Sequence, residues 1–153
     1  MIDCVYFNNE LRCFRNGIVE RWYRNKYWKR VKNTANQHGY NKIDIDTKPI
    51  RRHRLIAFCF LGLASIIGKS GRDDVIDHKD RNKLNNCVDN LRITTQLGNN
   101  QNKICKGYYF DKQREKFCAH IKTNGYSRYL GLYDTEDEAH QAYLDAKQTY
   151  HLI

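Results

Sequence analysis

The stretch VIDHKDRNKLNNCVDNL, residues 75–91, starts as a β-strand and breaks into a loop at an Asp-His pair. Val75 to Asp77 predict a short strand, and the four asparagines and one aspartate between positions 82 and 90 favour turns. A carboxylate is a good ligand for a hard cation, and an imidazole titrates near neutral pH. The pair Asp77 and His78 therefore indicates acid–base chemistry beside a cation.

Hydrolysis of a phosphodiester needs these two groups. A water must lose a proton, which a neutral imidazole can accept, and the leaving 3′ oxygen must be stabilised, which one divalent cation can do. Neighbouring residues on a strand point to opposite faces, so Asp77 and His78 can act on one phosphate only where the strand ends in a distorted turn. A second oxygen ligand is expected from a following helix. The alternative is an asparagine-rich loop with no catalytic role.

The composition of the 153-residue chain predicts a folded protein with a polyanionic partner. Hydrophobic residues make up 41% of the chain, enough for a core, and the formal net charge is +10. Residues 1–60 hold 13 Lys and Arg against 5 Asp and Glu, whereas residues 107–153 hold 6 against 7. Nucleic acid is the favoured partner, and an anionic membrane surface is the weaker alternative.

The sequence predicts neither a membrane span nor a signal peptide. The longest apolar run, residues 55–63, is too short to cross a bilayer, and the N-terminus is mixed and polar. A cytoplasmic location is expected. The six cysteines form no C-x-x-C pair, so a zinc knuckle is poorly supported, and reduced, mostly buried thiols are expected.

Residues 1–50 predict a basic, β-rich segment, with candidate strands at 3–7, 12–14, 18–22 and 42–46 and a hairpin turn at Asn16-Gly17. The segment RWYRNKYWKR, residues 21–30, interleaves four aromatic with five cationic side chains. This pattern indicates a phosphate-binding surface with stacking rings, and the alternative is a two-faced strand with snorkelling side chains. The cationic candidates are Arg21, Arg24, Lys26, Lys29 and Arg30.

The rest of the chain predicts alternating helices and strands. Residues 53–63 predict a buried helix, and Asn90 is a good N-cap for a segment that becomes helical after Thr94 or Thr95, although Gly98 weakens that helix. Residues 116–122 and 126–133 predict two paired strands, and the T-x-x-E sequence at 135–138 predicts a capped helix. The C-terminal third is thus expected to be a three-stranded sheet with one helix packed on it.

Four segments occur together in an order that resembles the HNH endonuclease family, most of all its phage and intron-encoded homing type. They are HRLIAF at 53–58, IDHKDRNKLNN at 76–86, NLRITT at 90–95, and Asn99 with Asn102. The resemblance covers about residues 50–102 and implies a ββα-metal fold, in which a two-stranded hairpin and a helix hold one divalent cation. Oxygen and amide ligands favour Mg²⁺ or Mn²⁺ over zinc for that cation.

The resemblance implies a role for each matching residue. His78 is expected to be the general base, Asp77 and Asn99 the metal ligands, and Asn90 a brace for the loop that carries the histidine. His53, with Arg54 beside it, is expected to support the site or contact a phosphate. The family often has Glu-Asn where this chain has Gly98-Asn99, so Asn100 is the alternative second ligand.

A second resemblance covers the C-terminal third. The segments GYYFDK at 107–112, AHIK at 119–122, YLGLYDT at 129–135 and the E-A-x-x-A-Y pattern at 138–143 are similar to the plant APETALA/ethylene-response DNA-binding domain. That family implies a three-stranded sheet laid in the major groove, with the helix behind it. The alternative is solvated surface charge. The DNA-binding candidates are Tyr109, Arg114, Lys116, His120, Lys122, Arg128 and Tyr129.

Together these observations predict an α+β chain in three parts: a small basic β-rich segment (1–50), an HNH nuclease module of ββα-metal type (51–104), and an APETALA-like domain of three antiparallel strands and one helix (105–153). The predicted function is a metal-dependent DNA endonuclease of homing type acting on double-stranded DNA. A DNA-binding regulator on a degenerate nuclease scaffold is the alternative, and an RNA-binding protein is a third. Monomer and homodimer both remain open, as do nicking and double-strand cleavage.

Overall fold

The computed structural model describes residues 1–46, 48–67 and 74–151, which fold as two compact units, Met1–Asn100 and a second from Gln101 onward. Within these described ranges the chain forms four small antiparallel sheets and three α-helices. The α+β class is therefore confirmed. No helix in the described part of the chain has the length and apolar character needed to cross a membrane.

The first unit opens with a four-stranded meander. Its strands are β1 (Ile2–Tyr6), β2 (Asn9–Cys13), β3 (Val19–Tyr23) and β4 (Tyr27–Arg30), each paired with the next. The predicted Asn16-Gly17 turn joins β2 to β3, where the Gly17 N–H donates to the Phe14 carbonyl at 2.9 Å and Gly17 has φ +82°. Glycine suits this position because φ lies in the left-handed region.

A second, three-stranded sheet leads into the first helix. It consists of β5 (Thr34–Ala35), β6 (Asn41–Ile45) and β7 (Lys48–Arg51), in that order. Helix α1 (Arg52–Leu61) follows directly and ends at Gly62, which has the left-handed φ of 75° that commonly terminates helices. The predicted helix at 53–63 is therefore present with slightly earlier ends, and Pro49 lies in the strand before it.

The stretch at 75–91 folds into a strand–loop–strand unit followed by a helix. Strands β8 (Val75–His78) and β9 (Leu91–Thr94) pair antiparallel, so that Asp77 stands opposite Arg92. A 3₁₀ turn (Val88–Asn90) precedes β9, and helix α2 (Gln96–Gln101) follows it. The prediction of Asn90 as a helix N-cap is wrong, because the residues after it are extended. The helix after Thr95 is confirmed.

One hydrophobic core holds the first unit together. It includes Leu11 from β2, Ile43 and Ile45 from β6, and Leu55 and Ile56 from α1, all essentially inaccessible to solvent. Burial of each such side chain stabilises the fold by roughly 1.5–3 kcal/mol. Residues on both sides of position 50 fill this core, so the basic N-terminal segment packs as part of the unit that carries the Asp-His pair.

The second unit contains the sheet and helix predicted for the C-terminal third. Its strands β10 (Tyr108–Asp111), β11 (Lys116–Thr123) and β12 (Tyr126–Tyr133) pair in sequence order, and helix α3 (Glu136–Tyr150) packs on them. The predicted capping box is present, since the Thr135 side chain accepts from the Glu138 N–H and the Glu138 carboxylate accepts from the Thr135 N–H. Ile121 and Tyr143 are buried between sheet and helix.

Candidate active site

The asparagines after His78 build the loop that joins β8 to β9. Asn82 accepts a hydrogen bond from the Leu84 N–H, Asn85 accepts one from the Cys87 N–H, and Asn86 donates to the Leu84 carbonyl at 2.9 Å. Such short side-chain to backbone bonds are the usual means by which asparagine fixes a turn. These bonds shape the backbone around the end of β8.

Asn90 braces this loop from its far end. Its side chain accepts from the Asp80 N–H at 2.9 Å and donates to the Asp80 carboxylate and the Asn85 carbonyl, both at 2.8 Å. Desolvation raises the pKa of Asp80, but hydrogen bonds from Asn85, Asn82 and Asn90 outweigh it and leave that pKa below its usual value. These contacts support the bracing role that was predicted for Asn90.

His78 is the last residue of β8 and is 4% exposed. Its Nε2 atom lies 3.4 Å from Oδ1 of Asn86, whose amide nitrogen is held by the Leu84 carbonyl. Burial lowers the pKa of His78, against the raising effects of Asn86, Asp80 and Asp77. The ring is therefore neutral at neutral pH, which is the protonation state a general base requires.

Two further rings pack against His78. The His53 ring from α1 meets it edge-on, with centroids 5.1 Å apart, and the Tyr40 ring lies 5.1 Å from His53 and 6.0 Å from His78. His53 is 3% exposed, and its burial, together with His78 and the nearby Arg51 and Arg54, lowers its pKa to about 3. This burial favours the supporting role over direct contact with a phosphate.

Asp77 precedes His78 in sequence and forms an ion pair with Arg92 across the β8–β9 ribbon. Oδ2 of its buried carboxylate accepts from Nε of Arg92 at 2.9 Å and from Nη2 at 2.6 Å. Arg92 stands opposite Asp77 in the strand register, so the ion pair follows from the pairing of β8 with β9. The guanidinium holds the carboxylate in one orientation at the strand end.

A cleft of about 830 Å³ opens beside this ribbon in the first unit. His53 and Arg54 line it from α1, and Asn99 and Gln96 line it from α2. Arg54 donates to the Ile66 and Ser65 carbonyls at 2.8 Å each and to the Asp74 carbonyl at 3.0 Å, so its guanidinium also holds the chain that leads towards β8. The second predicted ligand, Asn99, thus lines the same cleft as the predicted support, His53, whereas Asp77 and His78 are not among the residues that line it.

The donors that Asp77 and Asn99 offer are oxygens. A carboxylate and an amide oxygen suit a hard cation that keeps several of its waters, and two such protein ligands suffice for Mg²⁺. Asn100, the alternative ligand, accepts a hydrogen bond from the Gln96 side chain at 3.2 Å. The chemistry of the donor set therefore fits the predicted divalent cation.

The N-terminal sheets support the loop from outside. The Val88 N–H donates to the Arg15 carbonyl at 2.7 Å, and the Asn41 side chain donates to the Leu84 carbonyl at 3.2 Å. A Cβ atom at Gly17 would lie 2.7 Å from the carbonyl oxygen of Asn86. The turn at Gly17 therefore lies directly against the residue that contacts His78, which gives residues 1–50 a structural role that the sequence did not reveal.

The predicted cationic residues at 21–30 lie on β3, β4 and their connecting turn. Arg21 pairs with Asp46 at 2.9 Å, whereas Arg24, Lys26, Lys29 and Arg30 are exposed. Tyr23 and Tyr27 stack with centroids 5.7 Å apart, and Lys29 lies over the Tyr23 ring. This end of the meander thus presents exposed cations beside exposed aromatic rings.

The C-terminal sheet separates its predicted DNA-binding residues onto two faces. His120 pairs with Tyr129 and its ring lies 5.7 Å from Tyr109, so these three share the face away from α3. Lys116 and Lys122 alternate onto that face, and Lys116 pairs there with Asp134 at 2.9 Å. Arg114 lies in the β10–β11 turn, where it pairs with Asp111 at 2.8 Å.

Arg128 departs from this set. It pairs in register with the buried Ile121, and its guanidinium lies 5.0 Å from the Tyr150 ring of α3. Directly paired residues share a face, so Arg128 lies on the helix side. Arg128 therefore lies on a different face from the outward candidates, and its role in DNA binding stays a prediction. Cys118 pairs in register with Tyr109, so it shares the outward face, where its side chain is buried.

Sequence reasoning missed three residues of the site: Asn86, Arg92 and Tyr40. Asn86 stands in the asparagine-rich stretch but carries no signal that separates it from its neighbours. Arg92 stands opposite Asp77 in the strand register. The sequence does not show this pairing, because it depends on the length of the loop between the two strands. Tyr40 reaches the site from a distant sheet, and no local pattern marks it.

Comparisons with known proteins found no matching family profile and no matching curated protein. A solved structure described as "DNA binding and cleavage by the HNH homing endonuclease I-HmuI" is similar to the chain, with 25% sequence identity and a TM-score of 0.48. The similarity covers 79% of this chain and 70% of that one. A TM-score below 0.5 does not establish a shared fold, and the proposed function therefore depends on the geometry of the site.

Proposed function

We propose that this chain is a metal-dependent DNA endonuclease of homing type that hydrolyses phosphodiester bonds in duplex DNA. The observation that carries the proposal is the environment of His78. A histidine buried at a strand end, held by an asparagine and kept neutral, follows directly after an aspartate held by an arginine. A structural histidine needs no carboxylate beside it, whereas phosphodiester hydrolysis uses both groups.

The contact with Asn86 assigns the tautomer of His78. Because the amide nitrogen of Asn86 donates to the Leu84 carbonyl, its oxygen faces the ring, and a hydrogen bond between them places the proton on Nε2. His78 would then accept the proton of the attacking water. His53 and Tyr40 keep the ring in place and limit the access of bulk solvent.

Asp77 and Asn99 are the residues that would hold the divalent cation, and Mg²⁺ or Mn²⁺ suits their oxygens. When bound, the cation would supply stabilisation of negative charge on the leaving oxygen. Arg92 orients the Asp77 carboxylate for this role, in the way that outer partners commonly orient metal ligands. Asn90 holds the loop that follows β8, and its hydrogen bonds fix the backbone next to Asp77 and His78.

Duplex DNA is the proposed partner because the first unit presents exposed cations and the C-terminal sheet presents Lys122 beside aromatic rings. The exposed residues Arg24, Lys26, Lys29 and Arg30 would grip phosphates through sequence-independent attraction. The outward face of the C-terminal sheet would read or hold the groove with Tyr109, His120, Lys122 and Tyr129. A nuclease with one such site would naturally cut one strand per monomer.

A plasmid-nicking assay tests the proposal, using wild type and His78→Ala with Mg²⁺, Mn²⁺ or excess EDTA. The expected result is metal-dependent nicking that falls at least about 100-fold in the variant, because a general base contributes on the order of 10²–10⁴. The matched control is His38→Ala, an exposed histidine in the same unit. Full activity in His78→Ala would overturn the assignment, and tight duplex binding without any cleavage would favour the regulator.

A further inference from the structure

Three cysteine thiols lie close together in the first unit, and none of them belongs to the proposed catalytic site. Cys4 lies on β1, Cys13 on β2 and Cys59 on α1, and their Sγ atoms all lie within 4.8 Å of one another. The Sγ atoms of Cys4 and Cys59 are 3.6 Å apart although 55 positions separate them in sequence. The fold therefore assembles a cluster that the spacing of the cysteines did not predict.

The geometry of the cluster matches a thiolate metal site. Zinc binds cysteine sulfur at about 2.3 Å in tetrahedral sites, which places two sulfur ligands roughly 3.8 Å apart. The Cys4–Cys59 distance is close to that value, and the third thiol lies within reach of the same point. All six cysteines of the chain are free thiols, so no disulfide occupies these three.

Ordinary packing does not account for the cluster fully. A free cysteine often behaves as a small hydrophobic residue, and Cys13 is completely buried in this manner. Cys4 and Cys59 are only partly buried, however, so these two residues lie at the edge of the core. An ion could reach the cluster from that edge without the core opening.

We propose that Cys4, Cys13 and Cys59 form a three-thiolate site for a soft metal ion. Zn²⁺ is the bound ion, and a water is its fourth ligand. Each thiol loses its proton to solvent when the ion binds, so binding involves no oxidation or reduction. The site would fasten the β1–β2 hairpin to helix α1, which carries His53. It is distinct from the proposed catalytic cation, because sulfur ligands select a soft ion and oxygen ligands a hard one.

The test uses the full chain, reduced and stripped of metal, and titrates it with Co²⁺ as a spectroscopic substitute for Zn²⁺. We expect thiolate-to-cobalt charge-transfer absorption in the near ultraviolet that saturates near one equivalent and is displaced by Zn²⁺. Cys4→Ser and Cys59→Ser should each lose most of this absorption. These two variants are chosen because they are partly exposed, whereas Cys13→Ala opens the core and can impair folding.

Matched controls come from the remaining cysteines. Cys87 and Cys105 lie outside the cluster, so Cys87→Ser and Cys105→Ser should keep the full absorption. Asp77→Ala removes a proposed ligand of the catalytic cation and should also keep it. Circular dichroism confirms that each variant is folded. Absence of the charge-transfer band in the reduced wild type, its retention in folded Cys4→Ser and Cys59→Ser, or formation of a Cys4–Cys59 disulfide in place of metal binding would overturn the proposal.

Discussion

Oδ1 of Asn86 lies 3.4 Å from Nε2 of His78, and both residues are buried at the junction of strand β8 and its loop. The same asparagine contacts the N-terminal sheet through its backbone at Gly17. Asn86 therefore connects the predicted base, His78, to the turn at Gly17. Removal of the Asn86 side chain should affect catalysis more than folding.

Asn86→Ala should reduce the rate of DNA cleavage by about 10–100-fold, the range typical for partners that orient a functional side chain. The variant leaves His78 present but no longer fixes which of its nitrogens carries the proton. Single-turnover cleavage at saturating enzyme measures this effect separately from DNA binding. The matched control Asn33→Ala removes an exposed amide from the same unit and should cleave at the wild-type rate. Equal rates in both variants would remove Asn86 from the mechanism.

The turn at Gly17 should be far less tolerant of a side chain than the helix end at Gly62. Both glycines have left-handed φ angles, +82° and +75°, so alanine strains the backbone at each by roughly 1–2 kcal/mol. At Gly62 a Cβ meets nothing within 4 Å, whereas at Gly17 it would lie 2.7 Å from the Asn86 carbonyl oxygen. Gly17→Ala should therefore lose about 1–3 kcal/mol more than Gly62→Ala in urea unfolding.

Catalysis distinguishes the cause of that difference. Gly17→Ala should also lower the cleavage rate under conditions where it remains folded, because Asn86 must move and His78 follows it. Gly62→Ala should keep the wild-type rate. If the two variants are equally stable and equally active, the packing of the Gly17 turn against the loop does not matter for the site.

Acidification should destabilise the first unit through His53. Burial holds the folded-state pKa of His53 near 3, well below the ordinary value of 6.5. Between these two values the unfolded chain binds a proton that the folded chain does not, so stability is fully present above pH 6.5 and is lost as the pH falls towards 3. One such group contributes a slope of about 1.4 kcal/mol per pH unit.

Urea unfolding followed by the fluorescence of Trp22 and Trp28 between pH 7 and pH 4.5 measures this slope. His53→Gln should unfold with a shallower pH dependence than wild type, although His78 still contributes in the same direction. His38→Gln, at an exposed position, should keep the wild-type slope. A wild-type slope in His53→Gln would mean that the buried ring is not the source of the acid sensitivity.

Local sequence patterns predicted those parts of the structure that depend on neighbouring residues. Alternation found β11 and β12, the T-x-x-E sequence found the start of α3, and turn-forming residues marked the end of β8 after His78. Each of these features is determined within a few residues, by side-chain direction or by a short hydrogen bond. The order of strand, loop, strand and helix around the Asp-His pair followed from the resemblance to a known family.

Contacts between distant segments were not predictable in this way. The loop length between β8 and β9 decides that Arg92 faces Asp77, and the packing of β1 and β2 on α1 decides that three cysteines meet. Asn90 misled the prediction because asparagine suits both a helix N-cap and a loop brace. Its three hydrogen bonds to Asp80 and Asn85 decide the question in the fold.

The two faces of the C-terminal sheet should differ in their contribution to DNA binding. Lys122 alternates onto the outward face with His120, whereas Arg128 pairs with Ile121 and lies over Tyr150 on the helix side. Lys122→Ala and Arg128→Ala each remove one positive charge, so a purely global electrostatic effect would weaken binding equally. If the outward face contacts phosphates, Lys122→Ala should weaken duplex binding several-fold and reduce the slope of log K against log salt by about 1.

Arg128→Ala should leave both the affinity and the salt slope close to wild type, because its guanidinium points away from the proposed DNA surface. Fluorescence anisotropy with a labelled duplex at several salt concentrations measures both quantities, with EDTA present to prevent cleavage. Equal losses in the two variants would indicate that the sheet contributes only diffuse charge. A larger loss of affinity for Arg128→Ala would place the DNA on the helix side. Both substitutions remove one positive charge, so only a contact specific to one face can make their effects differ.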